Sequence, residues 1–210
     1  MLFADQIGVR VKKVLEPLPE AEIQHMRRVG VLVEFFLQVL YQGGALKWFS
    51  LEECELYGKA AAFHDIGKVK IPLSILTKPE KLEKEEAAIL YQHPVFAREL
   101  FMDGLFSGIP ERFVRLAMEA AAYHHERWDG TGYPYGLKEE SIPFIARITS
   151  ICDAYDAMTS DRVYRKAHPH RFACRVLEEN AGAQFDPVLT WAFLDHEFDL
   201  SLAAARGHNP

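Results

Sequence analysis

The sequence predicts an all-α fold, a bundle of roughly seven to nine helices, on three observations. Apolar residues recur with helical spacing along most of the chain, and no stretch alternates convincingly as a strand. Serine, aspartate and proline stand where helices would begin. The stretches rich in glycine and proline are few and fall between the periodic segments.

Taken in order, residues 1–20 read as an N-terminal extension or first helix, and residues 21–210 as one domain. The longest apolar-leaning stretch, 29–46, is interrupted by Glu34, Gln38 and Gln42 and so falls short of a membrane span. Ser50-Leu51-Glu52-Glu53 is a capping-box signature, and the helix it opens should run through Leu56, Ala60 and Ala61 to His64, with Gly67 as its stop. A short helix with an acidic first half is expected over 81–92. Pro94, Pro110, Pro169 and Pro187 each look like a first helical residue, the last with Asp186 as N-cap. Residues 142–161 read as one long buried helix carrying Asp153 near its middle, and 67–81 and 129–142 as loops.

Composition narrows the class. At 210 residues the chain can bury a substantial core, and 49% apolar with 26% charged residues excludes disorder and fibres. A formal charge of -6 argues against a polymeric DNA or RNA partner, which normally meets a basic stripe. Cys54, Cys152 and Cys174 are far apart and form no CxxC pair, so neither a thiolate zinc knot nor a disulfide framework is indicated, and each reads as a small packed hydrophobe. The start of the chain mixes Asp5, Arg10, Lys12, Lys13 and Glu16 among apolar residues, unlike a secretory signal, and no run reaches membrane-spanning length. A cytoplasmic protein with no membrane partner is the expectation.

Chemistry concentrates in five histidines and two aspartates: His25, His64, Asp65, His93, His124, His125 and Asp153. Imidazoles and carboxylates without thiolates suit iron, manganese or zinc held for hydrolysis. Adjacent helical residues diverge by about 100°, so His64 and Asp65 at a helix end can straddle two neighbouring metals. Asp65 can bridge the ions, one oxygen to each. Two metals about 3.5–4 Å apart would acidify a bridging water and clamp a phosphoryl oxygen. Lys68, four residues after His64, is placed to neutralise the non-bridging oxygens or assist the leaving group. His168, His170, His196 and His208 have no such motif and read as packed or surface residues.

On these residues the chain resembles the HD-GYP subgroup of the HD-domain phosphohydrolases. The resemblance rests on His64-Asp65-Ile66-Gly67-Lys68, on His93-Pro94, on the run from His124-His125-Glu126 to Gly132-Tyr133-Pro134, and on the segment from Asp153 to Arg165. It covers about two thirds of the chain, from His25 to Arg165. The resemblance implies an HD-domain helical bundle with additional HD-GYP helices and a GYP loop. It implies hydrolysis of cyclic di-GMP to pGpG, and in some members to GMP, by a metal-bridged hydroxide. Some members act on a hybrid cyclic GMP-AMP dinucleotide. Two divalent ions, iron or manganese, follow from the same likeness. His25, His64, Asp65 and Asp153 would surround one, and Asp65, His93, His124 and His125 the other. Lys68 would lie beside the scissile phosphate, with Tyr133, Asp156, Arg162 and Arg165 facing the ligand, while Trp128 and Asp129 cap or pack the loop.

The chain departs from the pattern at Ala21, where some members place a glutamate that binds a third metal. Glu22 is one residue, hence about 100°, away, which favours two metals over three. Ala97 and Val163 replace a usual glycine and proline at positions that tolerate them. Only about twenty residues precede His25, too few for a folded sensor, so the expectation is a free-standing enzyme, one whose input comes from a homodimer or a regulatory protein partner, or an excised fragment. The competing readings are a cyclic dinucleotide-binding module without turnover and an HD-type nucleotide phosphohydrolase.

Overall fold

The computed structural model describes residues 9–161 and 166–206. Arg162, Val163, Tyr164, Arg165 and His208 lie outside the described residues. Among those described there are eleven α-helical segments and no strand, only an isolated bridge between Ala181 and Phe185. The helices are α1 (Val9–Leu15), α2 (Glu20–Gln42), α3 (Leu51–Ala61), α4 (Leu73–Leu76), α5 (Lys84–Leu90) and α6 (His93–Met102). They continue as α7 (Glu111–Tyr123), α8 (Phe144–Thr159), α9 (His170–Glu179), α10 (Pro187–Asp195) and α11 (Glu197–Arg206). The count exceeds the expected seven to nine in part because α4 is a single turn inside a segment expected to be loop.

Several start signals behave as their chemistry dictates. Ser50 Oγ accepts from the Glu53 amide at 3.2 Å, and the Asp186 side chain accepts from the Val188 and Leu189 amides before Pro187. Pro110 and Pro169 sit one residue earlier than expected, at the cap positions of α7 and α9, where their extended backbone feeds the first turn. Pro94 is the second residue of α6.

The end of α3 differs from expectation. The helix stops at Ala61, and His64-Asp65 lie in a turn leading to a 3-10 segment, Ile66–Lys70. Gly67 is inside that segment rather than a stop. A Cβ there would collide with the His93 carbonyl and come within 2.6 Å of the Ala97 amide nitrogen. The missing side chain therefore lets the 3-10 segment lie directly on the first turn of α6. A second close approach joins α2 to α3, where Gly30 faces Ala62 and the Gly58 carbonyl.

Two apolar clusters flank this framework. One gathers α2, α3, α8, α9, α10 and α11 around Phe36, Cys54, Ile148, Tyr155, Leu177, Phe193 and Leu200. The other gathers α1, α3, α6 and α7 around Val11, Phe63, Ala97, Phe101 and Leu116, with Met26 from α2 and Ile145 from α8. Helices α2, α3 and α8 feed both, so side chains on the same three helices are held from two sides. Each fully buried aromatic or aliphatic side chain contributes about 1.5–3 kcal/mol by leaving water. No helix is long and apolar enough to cross a membrane among the described residues.

Candidate metal centre

The structure brings the seven sequence-predicted ligands together. His25 comes from α2, His64 and Asp65 from the turn after α3, His93 from the start of α6, His124 and His125 from the end of α7, and Asp153 from α8. They fall into two groups whose donor atoms all lie within 4.8 Å of one another: Asp65, His93, His124 and His125 in one, His25, His64 and Asp153 in the other.

Asp65 joins the groups. Its Oδ2 lies 3.3 Å from His64 Nε2 and 3.6 Å from His25 Nε2, while Oδ1 lies 3.2 Å from His93 Nε2 and 3.8 Å from His124 Nε2. Asp153 Oδ1 completes the first group, 3.0 Å from His25 Nε2 and 3.8 Å from His64 Nε2.

The tautomers follow from the partners of Nδ1. His64, His93 and His124 donate Nδ1–H to the carbonyls of Ala61, Leu90 and Ala120, at 3.0, 2.8 and 3.0 Å. A carbonyl can only accept, so Nδ1 carries the proton and Nε2 is left as a lone pair. His93 Nε2 and His124 Nε2 then face each other at 3.4 Å as two acceptors. His64 Nε2 is buried and makes no hydrogen bond. Convergent imidazole lone pairs and carboxylates fit divalent cations, and the donor set fits iron, manganese or zinc.

Protonation states agree with that role. Burial pushes the His125 imidazole down to about 3, and it also lowers His93 and His124. Burial alone would raise Asp65, but Lys68 and His64 outweigh it and hold the carboxylate well below its usual range. For Asp153 burial is likewise outweighed, chiefly by His25.

Lys68 donates to Asp65 Oδ2 and Glu22 Oε2, each at 2.7 Å. Burial opposes its charge, yet these carboxylates raise its pKa above the ordinary value. Lys68 and Glu22 line a cleft of about 780 Å³, together with His25, Arg28, Tyr91 and Asp161. Tyr133 stacks on His125 with ring centroids 4.8 Å apart and touches Tyr91 at 5.0 Å.

Asp156 corrects an expectation. Its side chain is fully buried instead of facing the cleft, because both oxygens are engaged within the fold. Oδ2 accepts from His25 Nδ1 at 2.7 Å, and Arg28 forks onto Oδ1 and Oδ2 at 2.8 and 3.0 Å. Asp156 thus fixes the orientation of His25, as a carboxylate partner does for an imidazole that could ligate a metal. Burial would raise it, but the hydrogen bonds from His25 and Arg28 bring it down to about 2.

Sequence reasoning missed Arg28 and Glu126 in these roles, although Glu126 stands inside the run that opens with His124-His125 and Arg28 is three residues after His25. Glu126 is buried and accepts from the Tyr135 and Leu137 amides at 2.8 and 3.0 Å, anchoring the loop that presents Tyr133. Asp129 accepts from the Thr131 amide at 2.9 Å and from Arg127 at 3.1 Å, a loop-packing role as expected.

Comparison with known proteins identifies the family. The HD domain family model matches residues 12–189. The chain belongs to the HD-domain family. A Vibrio cholerae protein named cyclic di-GMP phosphodiesterase is 44% identical to this HD domain over 153 residues, which is 72% of this chain and 31% of that one. A second V. cholerae relative, 3'3'-cGAMP-specific phosphodiesterase 2, is 38% identical over 185 residues, 88% of this chain and 34% of its own. The HD domain described here thus spans about a third of the length of these curated relatives. Among solved structures, an HDG"Y"P protein from Bdellovibrio bacteriovorus superposes with a TM-score of 0.58 at 21% identity, covering 81% of this chain and 51% of that one, a likeness of fold.

Proposed function

We propose that this HD domain is a metal-dependent phosphodiesterase of the HD-GYP type that hydrolyses cyclic di-GMP to pGpG. The observation that carries the reading is the shared carboxylate: Asp65 turns one oxygen toward each of two histidine clusters and has Lys68 against its edge. His25, His64, Asp65 and Asp153 would hold one divalent ion, and Asp65, His93, His124 and His125 the other. When bound, two such ions supply Lewis acidity to a phosphodiester and acidify water. We assign iron or manganese by family likeness, and two ions rather than three because Glu22 stands outside both donor clusters.

The chain's own residues do the rest. The ammonium of Lys68 lies at the cleft wall, where it can neutralise a phosphoryl oxygen or the leaving oxygen as charge develops. The ring of Tyr133, braced by His125 and Tyr91, offers an aromatic edge to a base. Asp156 and Arg28 hold His25 with Nε2 toward the centre. Arg162 and Arg165 join the proposed ligand set by family likeness, as guanidinium forks suited to phosphate.

The test is turnover of a nucleotide panel by protein loaded anaerobically with iron or manganese, followed by chromatography. Linear pGpG from cyclic di-GMP is the expected product. Two bound ions with no linearisation of any cyclic dinucleotide would leave a binding module instead, and cleavage of mononucleotides alone would leave a nucleotide phosphohydrolase. A second cyclic dinucleotide, 3'3'-cGAMP, belongs in the panel because one relative is named for it.

A further inference from the structure

A third group of metal-capable side chains lies apart from the histidine–aspartate centre. His170 and Cys174 stand one turn apart on α9, and Glu197 opens α11. Cys174 Sγ is 3.5 Å from His170 Nε2, and His170 Nε2 is 3.7 Å from Glu197 Oε2. Tetrahedral zinc, with bonds of about 2.3 Å to sulfur and about 2.0–2.2 Å to nitrogen and oxygen, sets ligand–ligand edges of about 3.4–3.6 Å. The observed separations are close to those edges.

The surroundings favour a cation as well. The Tyr155 hydroxyl lies 2.8 Å from His170 Nδ1 and can accept a hydrogen bond from Nδ1–H, the tautomer that leaves Nε2 as a lone pair toward Glu197. Thiolate and carboxylate together would carry two negative charges, which one divalent ion neutralises. His170 and Glu197 are partly exposed, so an ion has a route in, while Cys174 is buried. The sulfur also lies 3.6 Å from Nδ1, beside the ring, so capture requires a turn of the imidazole about its Cβ–Cγ bond.

We propose that His170, Cys174 and Glu197 form a zinc-class divalent-metal site that fastens α11 to α9. Binding breaks the Cys174 S–H bond, forms a metal–sulfur bond and releases the proton to solvent. No oxidant or co-reactant is needed. The three donors leave one position for water. Through Tyr155 the ion would also brace α8, the helix that carries Asp153 and Asp156.

Cobalt(II) is the probe, because a thiolate–cobalt charge-transfer band can come only from a cysteine and the histidine–aspartate centre has none. Titrating metal-free protein should produce the band in the wild type and in Asp65→Ala alike, so the result stands whether or not the proposed phosphodiesterase activity does. Cys174→Ser should lose the band, and bound zinc should fall by one ion per chain. Tyr155→Phe, which keeps the ring and removes its hydroxyl, should weaken cobalt binding about 10–100-fold. Glu197→Gln changes a half-exposed side chain and should weaken it too. Absence of the band in folded wild type, its survival in Cys174→Ser, or unchanged affinity in Glu197→Gln would each overturn the proposal.

Discussion

Asp65 presents a different oxygen to each cluster, so its truncation should act on both at once. Asp65→Ala is expected to empty the centre of both ions and abolish turnover, read by metal analysis and chromatography; full occupancy in that variant would refute the bridge. Lys68 is different, since it contacts Asp65 and Glu22 but belongs to neither cluster. Lys68→Ala should keep its metal and lose about 10²–10³-fold in kcat, the scale of removing one transition-state donor. Asp156→Asn should weaken the ion held by His25 by about 10–100-fold and leave the other group less affected, measured by competition with a chelator. At this scale the seven clustered residues were legible, because residue type and fixed pairing restrict metal chemistry. The role of Asp156 was not, since four residues of helix separate it from Ser160 and 131 residues of chain from His25, and only packing shows which it serves.

Among the elements, α3 and the 3-10 segment after it do the most to shape the centre. Pattern and capping predicted the start of α3 at Ser50, yet its end depends on what lies against it. Gly67 is required by contact with the backbone of α6, a partner that sequence periodicity cannot name. Gly67→Ala should therefore push α6 away from the 3-10 segment and displace His93. The expected result is a lowered melting temperature together with loss of the ion shared by His93, His124 and His125; metal binding and melting both unchanged would show that the contact is not limiting. The loop 129–142 was legible as a loop from its glycines and prolines. Its anchoring on Glu126 appears only once the Tyr135 and Leu137 amides are seen to converge on that carboxylate.

Over the whole molecule, the metal-free protein buries neutral imidazoles that the unfolded chain would protonate. Burial holds His93, His124 and His125 all below the ordinary imidazole value of about 6.5. Between that value and the depressed folded values the unfolded state binds more protons, so stability is complete above about pH 6.5 and falls as the pH drops, by up to about 1.4 kcal/mol per pH unit for each such histidine. Asp65, Asp153 and Asp156 act in the same direction at lower pH, being held below the usual carboxylate range. Urea midpoints of metal-free protein at pH 7.0 and about 5.0 should show the loss; equal midpoints would mean that the histidines titrate as they do in the unfolded chain. By itself the sequence determined the helical class and singled out the seven residues that cluster, because periodicity, composition and motif order are local properties of the chain. Tertiary structure alone decided that one carboxylate lies between two clusters, that Asp156 supports His25 instead of facing the cleft, and that His170, Cys174 and Glu197 meet. Each of those depends on how helices distant in sequence cross, and crossing geometry is set by the packing of facing side chains, small ones at Gly30, Gly58 and Gly67 above all.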